Sequence, residues 1–158
     1  MTKKLLTLLL VGVLIFALSS CSADNGETNS EIETEYEAVN VFEGVTMAVK
    51  EGSITPEGLT LVFHNNQDKE HIYGSFYAIE RKNGDKWNKI EYVTEENVGW
   101  DDMAYIVPAN QSVEEAVDWE WLYGSLNAGE YRIIKEVLDY EAPGEYKTYY
   151  LAAEFVIS

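Results

Sequence analysis

The chain has 158 residues, with 28 Asp and Glu against 11 Lys and Arg, a formal charge of −17, and 46% apolar residues that include 4 Trp, 11 Tyr and 5 Phe. Such a length supports one hydrophobic core, since two would each be marginal, and the aromatic content argues against disorder through the body of the chain. The charge excludes nucleic acid as a partner, because phosphates are repelled and no basic patch or stripe is read in the sequence.

Lys3 and Lys4 precede an apolar run over 5–18, and Leu18-Ser19-Ser20-Cys21 places small residues before the only cysteine. That is the order of a secretory signal, and the run is shorter than the ~18 to 20 residues that span a bilayer. The tetrad resembles the lipobox of bacterial lipoproteins, in which the cysteine is acylated and becomes residue one after cleavage. The resemblance implies a signal peptide over 1–20, lipidation of Cys21, and an extracytoplasmic protein anchored to the outer face of the bacterial cell membrane. Loss of Lys3 and Lys4 takes the charge from −17 to −19. Anionic headgroups repel so acidic a surface, so membrane contact is expected through the lipid on Cys21 alone. With that thiol committed, no disulfide is available and packing must hold the fold.

Residues 22–43 read as an acidic, flexible tether. Asp24, Glu27, Glu31, Glu33, Glu35 and Glu37 occur with no lysine or arginine, and the apolar residues show no sustained period. About 20 flexible residues span ~25 Å, which would hold a domain of 44–158 clear of the membrane.

From Gly44 the apolar residues recur at period two, the strand signature. Val45, Met47 and Val49 begin it, Thr55-Pro56-Glu57-Gly58 turns the chain, and Leu59, Leu61 and Phe63 follow on one face. A strand is expected over 72–82, then a hairpin at Asn83-Gly84. A three-residue loop with Gly84 in the left-handed position is preferred there, because it sets Ile79 opposite Trp87, whereas a two-residue loop sets it opposite Asn88. Residues 91–102 are acidic and irregular, and 103–107 form a short apolar strand. Val113, Glu115, Val117, Trp119 and Trp121 share one face, which makes both tryptophans core candidates. Residues 139–147 read as a Pro-Gly loop, and Tyr149, Leu151, Ala153, Phe155 and Ile157 face inward on a last strand. About seven to eight short strands with regular turns predict an all-β, two-layer antiparallel sandwich of Ig-like type.

Leu126, Gly129 and Tyr131 have the spacing of a tyrosine corner, in which the phenol bonds back to upstream backbone. Ser53-Ile54-Thr55-Pro56-Glu57-Gly58-Leu59-Thr60-Leu61, Trp119-Glu120-Trp121-Leu122-Tyr123-Gly124, Tyr131-Arg132-Ile133-Ile134-Lys135 and Tyr150-Leu151-Ala152-Ala153-Glu154-Phe155 resemble the bacterial Ig-like domain family of secreted and lipid-anchored proteins. The resemblance covers nearly all of 44–158 and implies a fold and a location. It brings no activity, cofactor or site residue with it.

The residues themselves offer little chemistry. Only His64 and His71 could serve a nucleophile as base, no Gly-x-Ser-x-Gly elbow exists, and their seven-residue separation suits no common zinc site, so both read as surface or turn histidines. Carboxylates such as Glu91, Glu95, Asp118 and Glu120 would pair by chance on so acidic a surface, which leaves a small hydrolase the weakest reading. Weak calcium binding by Asp101 and Asp102, or by Asn65, Asn66 and Asp68, competes with a plain solvated loop. Tyr123 and Tyr150 fall off the inward alternation and, with Asp101 and Asp102, form the candidate binding surface. The expectation is a non-catalytic surface module with no cofactor, recognising an envelope protein or peptide. Carbohydrate or cell-wall glycan binding through exposed aromatics is the alternative.

Overall fold

A computed structural model describes residues 32–158; Cys21, the signal segment and the first part of the expected tether lie outside the described residues. In chain order the elements are β1 (Ile32–Glu33), β2 (Val45–Val49), β3 (Gly58–Asn65), β4 (His71–Tyr73), β5 (Ala78–Asn83), β6 (Lys86–Lys89), β7 (Tyr105–Val107), β8 (Ser112–Asp118), α1 (Glu120–Tyr123), β9 (Gly129–Ala142) and β10 (Glu145–Ile157). They form an antiparallel two-sheet sandwich. The large sheet runs β1-β6-β5-β9-β4-β7 with β10 on the far side of β9, and the small sheet runs β2-β3-β8. β9 is the spine, pairing β5 along its first half, β4 along its second, and β10 throughout.

Period-two alternation turns one side chain in two toward the space between the sheets. Leu61 and Phe63 of the small sheet meet Ile79, Ile133, Val137 and Leu151 of the large one, all fully buried, and each such burial contributes ~1.5–3 kcal/mol. Trp119 is buried with them, its indole N–H donating to Pro56 O at 2.9 Å. Gly58 allows β3 to approach β8: a Cβ there would lie 2.5 Å from Val117 O. Tyr131 is buried, and its hydroxyl donates to Asn127 O at 2.8 Å, the bond a tyrosine corner makes.

Four local expectations are corrected. The β5–β6 loop is two residues, Gly84 and Asp85, because Asn83 pairs Lys86. Gly84 takes φ +59° at the first loop position, where a type II′ turn places glycine. Ile79 therefore lies beside Ile90, whose N–H donates to its carbonyl at 3.3 Å. The strand expected over 72–82 is split, since residues 74–77 stand opposite only Lys135 and Glu136 of β9. Residues 139–147 are mostly strand, with β9 and β10 paired as far as Ala142 and Glu145 around Pro143-Gly144. Trp121 is 53% exposed. Trp119 O accepts from the Leu122 and Tyr123 N–H groups, so α1 breaks the alternation and turns those two inward instead.

The expected domain boundary at 44 is also corrected. Residues 32–42 are not a free spacer but a strap across the domain. β1 pairs β6, Asn40 docks on β10, and Phe42 is buried in the main core. The acidic residues face out while Tyr36, Val39 and Phe42 face in.

An ion pair ties the sheets together. The fully buried Lys135 ammonium of β9 donates to Glu115 Oε1 of β8 and to Gly74 O, each at 2.8 Å, and lies 5.3 Å from the centre of the Tyr73 ring. Burial holds Lys135 below its ordinary pKa and Glu115 above its own, and in both cases the partner opposes the shift. The lysine also explains the split strand, since the Gly74 carbonyl turns from the ladder to meet it.

Candidate interaction surface

The outward face of the large sheet is apolar in two regions with different fates. Beside β5, the buried residues Ala78, Ile134 and Ala152 are covered by Tyr36 and Val39 of the strap, with Phe76 and Tyr150 at the margin. Tyr36 meets Tyr150 edge to face at 5.1 Å. Beneath the strap, Arg132 Nε donates to Glu80 Oε2 at 2.7 Å and Nη2 to Thr34 Oγ1 at 3.0 Å, with the guanidinium 4.8 Å from the Trp87 ring centre. Such a desolvated pair needs its hydrogen bonds met to be tolerated, and the strap supplies some of them.

The strap also treats the sheet's edges. Along β6 it adds β1, continues the pairing with Thr34 N–H to Trp87 O at 3.1 Å, and aligns Glu33 with Lys86 at 2.6 Å and Glu35 with Lys89 at 3.3 Å. At β10, Asn40 N–H donates to Tyr150 O at 2.9 Å while its side chain bonds Ala152 N–H and O at 2.9 and 3.0 Å. A carboxamide thus takes the place of a paired strand, with Asn40 held at φ +59°.

Beside β4 the same face is uncovered. The register Ile106↔Ile72↔Leu138 sets three aliphatic side chains in a row across β7, β4 and β9, and Tyr140↔Tyr146 forms a second row across β9 and β10. Ile106 is 49% exposed, Tyr146 56%, and Tyr140 is also exposed. Met103, just before β7, and Tyr105 are exposed as well, but Tyr105 pairs Tyr73 and stacks on it at 5.3 Å, on the opposite face of the strand from Ile106.

Asp101 and Asp102 are exposed just before β7. Asp101 O accepts the Ser75 hydroxyl at 3.3 Å, and its carboxylate accepts the Met103 N–H at 3.3 Å. Tyr123 is corrected: it is buried, its hydroxyl accepts the Ile79 N–H at 3.1 Å, and burial raises its pKa. Tyr150 is half-buried beneath Tyr36, with its pKa likewise raised by burial. Cys21 lies outside the described residues. His71 is fully buried rather than superficial; burial lowers its pKa against the nearby Asp139 carboxylate, Nδ1 to Oδ1 3.6 Å.

The loop candidate for calcium is committed elsewhere. The buried Asn65 amide donates to Lys69 O, Val107 O and Pro108 O and its oxygen accepts the Gln67 N–H, while Asp68 accepts from Asn110. No group of three or more His, Cys, Asp or Glu among the described residues could hold a metal ion. A hollow of 230 Å³ at the β9–β10 tip is lined by Asp139, Glu141, Glu145, Tyr146 and Lys147, below the ~300 Å³ at which ligand pockets begin.

The family model for the bacterial Ig-like domain matches residues 41–156. The chain belongs to that family. Bacterial Ig-like domains of this kind are generally non-catalytic structural or interaction modules. No curated protein and no solved structure matches the chain. The family match takes in Phe42 but leaves residues 32–40 outside it.

Nothing in the sequence singles out Tyr140, Tyr146 or Ile106. Tyr140 and Tyr146 stood in an expected loop, and an exposed isoleucine has the same signature as a buried one until the sheet order is known. Lys135 did leave a signal, being in phase with Tyr131, Ile133 and Val137 on the inward face.

Proposed function

We propose that the protein is a lipid-anchored, extracytoplasmic module of the bacterial cell surface that acts by binding an envelope protein or peptide and catalyses nothing. The observation that carries the reading is the uncovered half of the large sheet's outer face, where aliphatic and aromatic side chains stand exposed beside a half that the strap covers. Contiguous apolar surface of this kind marks interaction sites. The signal-like segment ending at Cys21 supports the location. With β1 beginning at Ile32, the ten intervening residues keep Ile32 within about 40 Å of Cys21 even at full extension.

A cell-wall reading has one observation in its favour, the exposed cross-strand pair Tyr140 and Tyr146, since sugar rings stack on aromatic faces. One experiment separates the two. Photo-crosslinking probes are placed at Ile106, Tyr146 and Trp121 of the full-length protein in cells, with Cys21→Ala as the control for anchoring. The expected result is a discrete protein adduct from at least one probe, lost when Cys21→Ala releases the chain from the membrane fraction. Glycan fragments on Tyr146 without protein adducts would replace this reading with cell-wall binding. Silence at all three probes, or unchanged membrane retention of Cys21→Ala, would overturn it.

A further inference from the structure

The large sheet has edges at β1, β7 and β10, and the molecule deals with them unequally. β1 is a two-residue strand that the strap lays over β6, and Asn40 caps β10 at Tyr150 and Ala152. β7 ends the strand order with only the Asn65 carboxamide on its backbone, donating to Val107 O at 3.2 Å, and because backbone groups alternate along an antiparallel strand, some of its N–H and C=O groups point away from β4. Small-sheet edges β2 and β8 carry no exposed large apolar side chain, whereas β7 carries Tyr105 and Ile106, with Met103 just before it.

We propose that β7 is a docking edge for an extended, lysine- or arginine-bearing segment of a partner protein, which adds to the large sheet as a further strand. The inference rests on the interaction-module reading and gives it a place and a partner chemistry. Charge selects the occupant. From residue 90 to 131 the chain has ten Asp and Glu and no Lys or Arg, and β7 lies within that run behind Asp101 and Asp102. A second copy, carrying the same charge, is repelled, while a basic segment is steered in.

The strap is the precedent within the molecule. At β6 an extended segment already adds to this sheet, its acids Glu33 and Glu35 meeting Lys86 and Lys89 while Tyr36 packs on the outer face. At the β7 edge the sign is reversed and the charges, Asp101 and Asp102, stand before the strand rather than on it. Three residues of pairing are little by themselves, so the partner's side chain beside Ile106 must also pack on it, extending the row that Ile106 forms with Ile72 and Leu138. That is how strand addition divides affinity between backbone and side chains.

The test uses the full chain in nanodiscs of zwitterionic lipid and a hexapeptide alternating lysine with isoleucine. Two companions control it, one with glutamate for lysine and one N-methylated at alternate amides, which keeps charge and side chains but removes donors. The basic peptide is expected to bind and to slow hydrogen exchange over residues 103–108. Affinity should fall at least tenfold for the N-methylated peptide and for Ile106→Lys. Asp101→Asn/Asp102→Asn, which leaves the strand intact, should weaken binding at low salt. The glutamate peptide should not bind. Equal affinity for the N-methylated peptide, protection elsewhere, or no binding would overturn the proposal, as would self-association abolished by Ile106→Lys, which would assign the edge to a second copy. Adducts from Trp121 or Tyr146 in cells, beside a silent β7, would sink this inference and leave the interaction reading standing.

Discussion

Replacing Lys135 with methionine is expected to cost about 3–5 kcal/mol of unfolding free energy. Methionine matches the stem in volume, but it leaves Glu115 without the cation at 2.8 Å, and Glu115 Oε2 is already buried without a hydrogen-bond partner. The double variant Lys135→Met/Glu115→Leu removes both charges, and it should unfold at or above the wild-type urea midpoint, because a well-packed apolar pair often equals a buried ion pair. The pH dependence has a definite sign. Burial already holds Glu115 above 4.5, and losing Lys135 raises it further. A carboxyl with its folded pKa above its unfolded one binds more protons when folded, so its contribution is fully present below the unfolded value and is lost as pH rises through the folded one. The deficit of Lys135→Met should therefore be smaller near about pH 5 than near about pH 8, read from urea midpoints with an unchanged m-value. A deficit under about 1 kcal/mol at both values would mean that the pair does not lock the sheets.

Phe42→Ala should cost about 3–5 kcal/mol as well. Its ring lies flat on Tyr149 at 4.0 Å, with 6° between the planes, and edge-on to His71 at 4.7 Å. Truncation opens a cavity among residues already fixed by β4 and β10, where little can collapse to fill it. A spacer residue would give no change in the thermal midpoint, so the same substitution discriminates strap from tether.

The strands were legible where burial is one-sided. Leu59, Leu61 and Phe63, and likewise Leu151, Ala153, Phe155 and Ile157, alternate cleanly because each faces one core, and all are buried. Three features escaped for different physical reasons. The strap lacks a period because Tyr36, Val39 and Phe42 reach three surroundings in turn, the outer face, the rim of β10 and the core, as the chain rounds an edge. Trp121 followed the alternation until α1 turned the backbone, a change that depends on Trp119 accepting two local hydrogen bonds. The candidate surface depends on sheet order, and no local pattern distinguishes the edge strand β7 from the interior strand β4 it pairs with. Asp101 and Asp102 are exposed, as a run of charge read without topology suggests, whereas Tyr123 is taken into the core by the same turn that exposes Trp121.

The claim on which the rest depends is that residues 32–42 close the β6 and β10 edges and leave β7 open. Residue-resolved amide hydrogen exchange tests it most directly, at Thr34, Asn40 and Ala152, whose N–H groups bond Trp87 O, Tyr150 O and Asn40 Oδ1 at 3.1, 2.9 and 2.9 Å. All three should be protected, with Thr34 and Asn40 losing protection in Phe42→Ala ahead of the core amides of β9. Exchange at Thr34 and Asn40 as fast as in an unstructured peptide would contradict the account, returning the segment to a tether and the β6 and β10 edges to solvent.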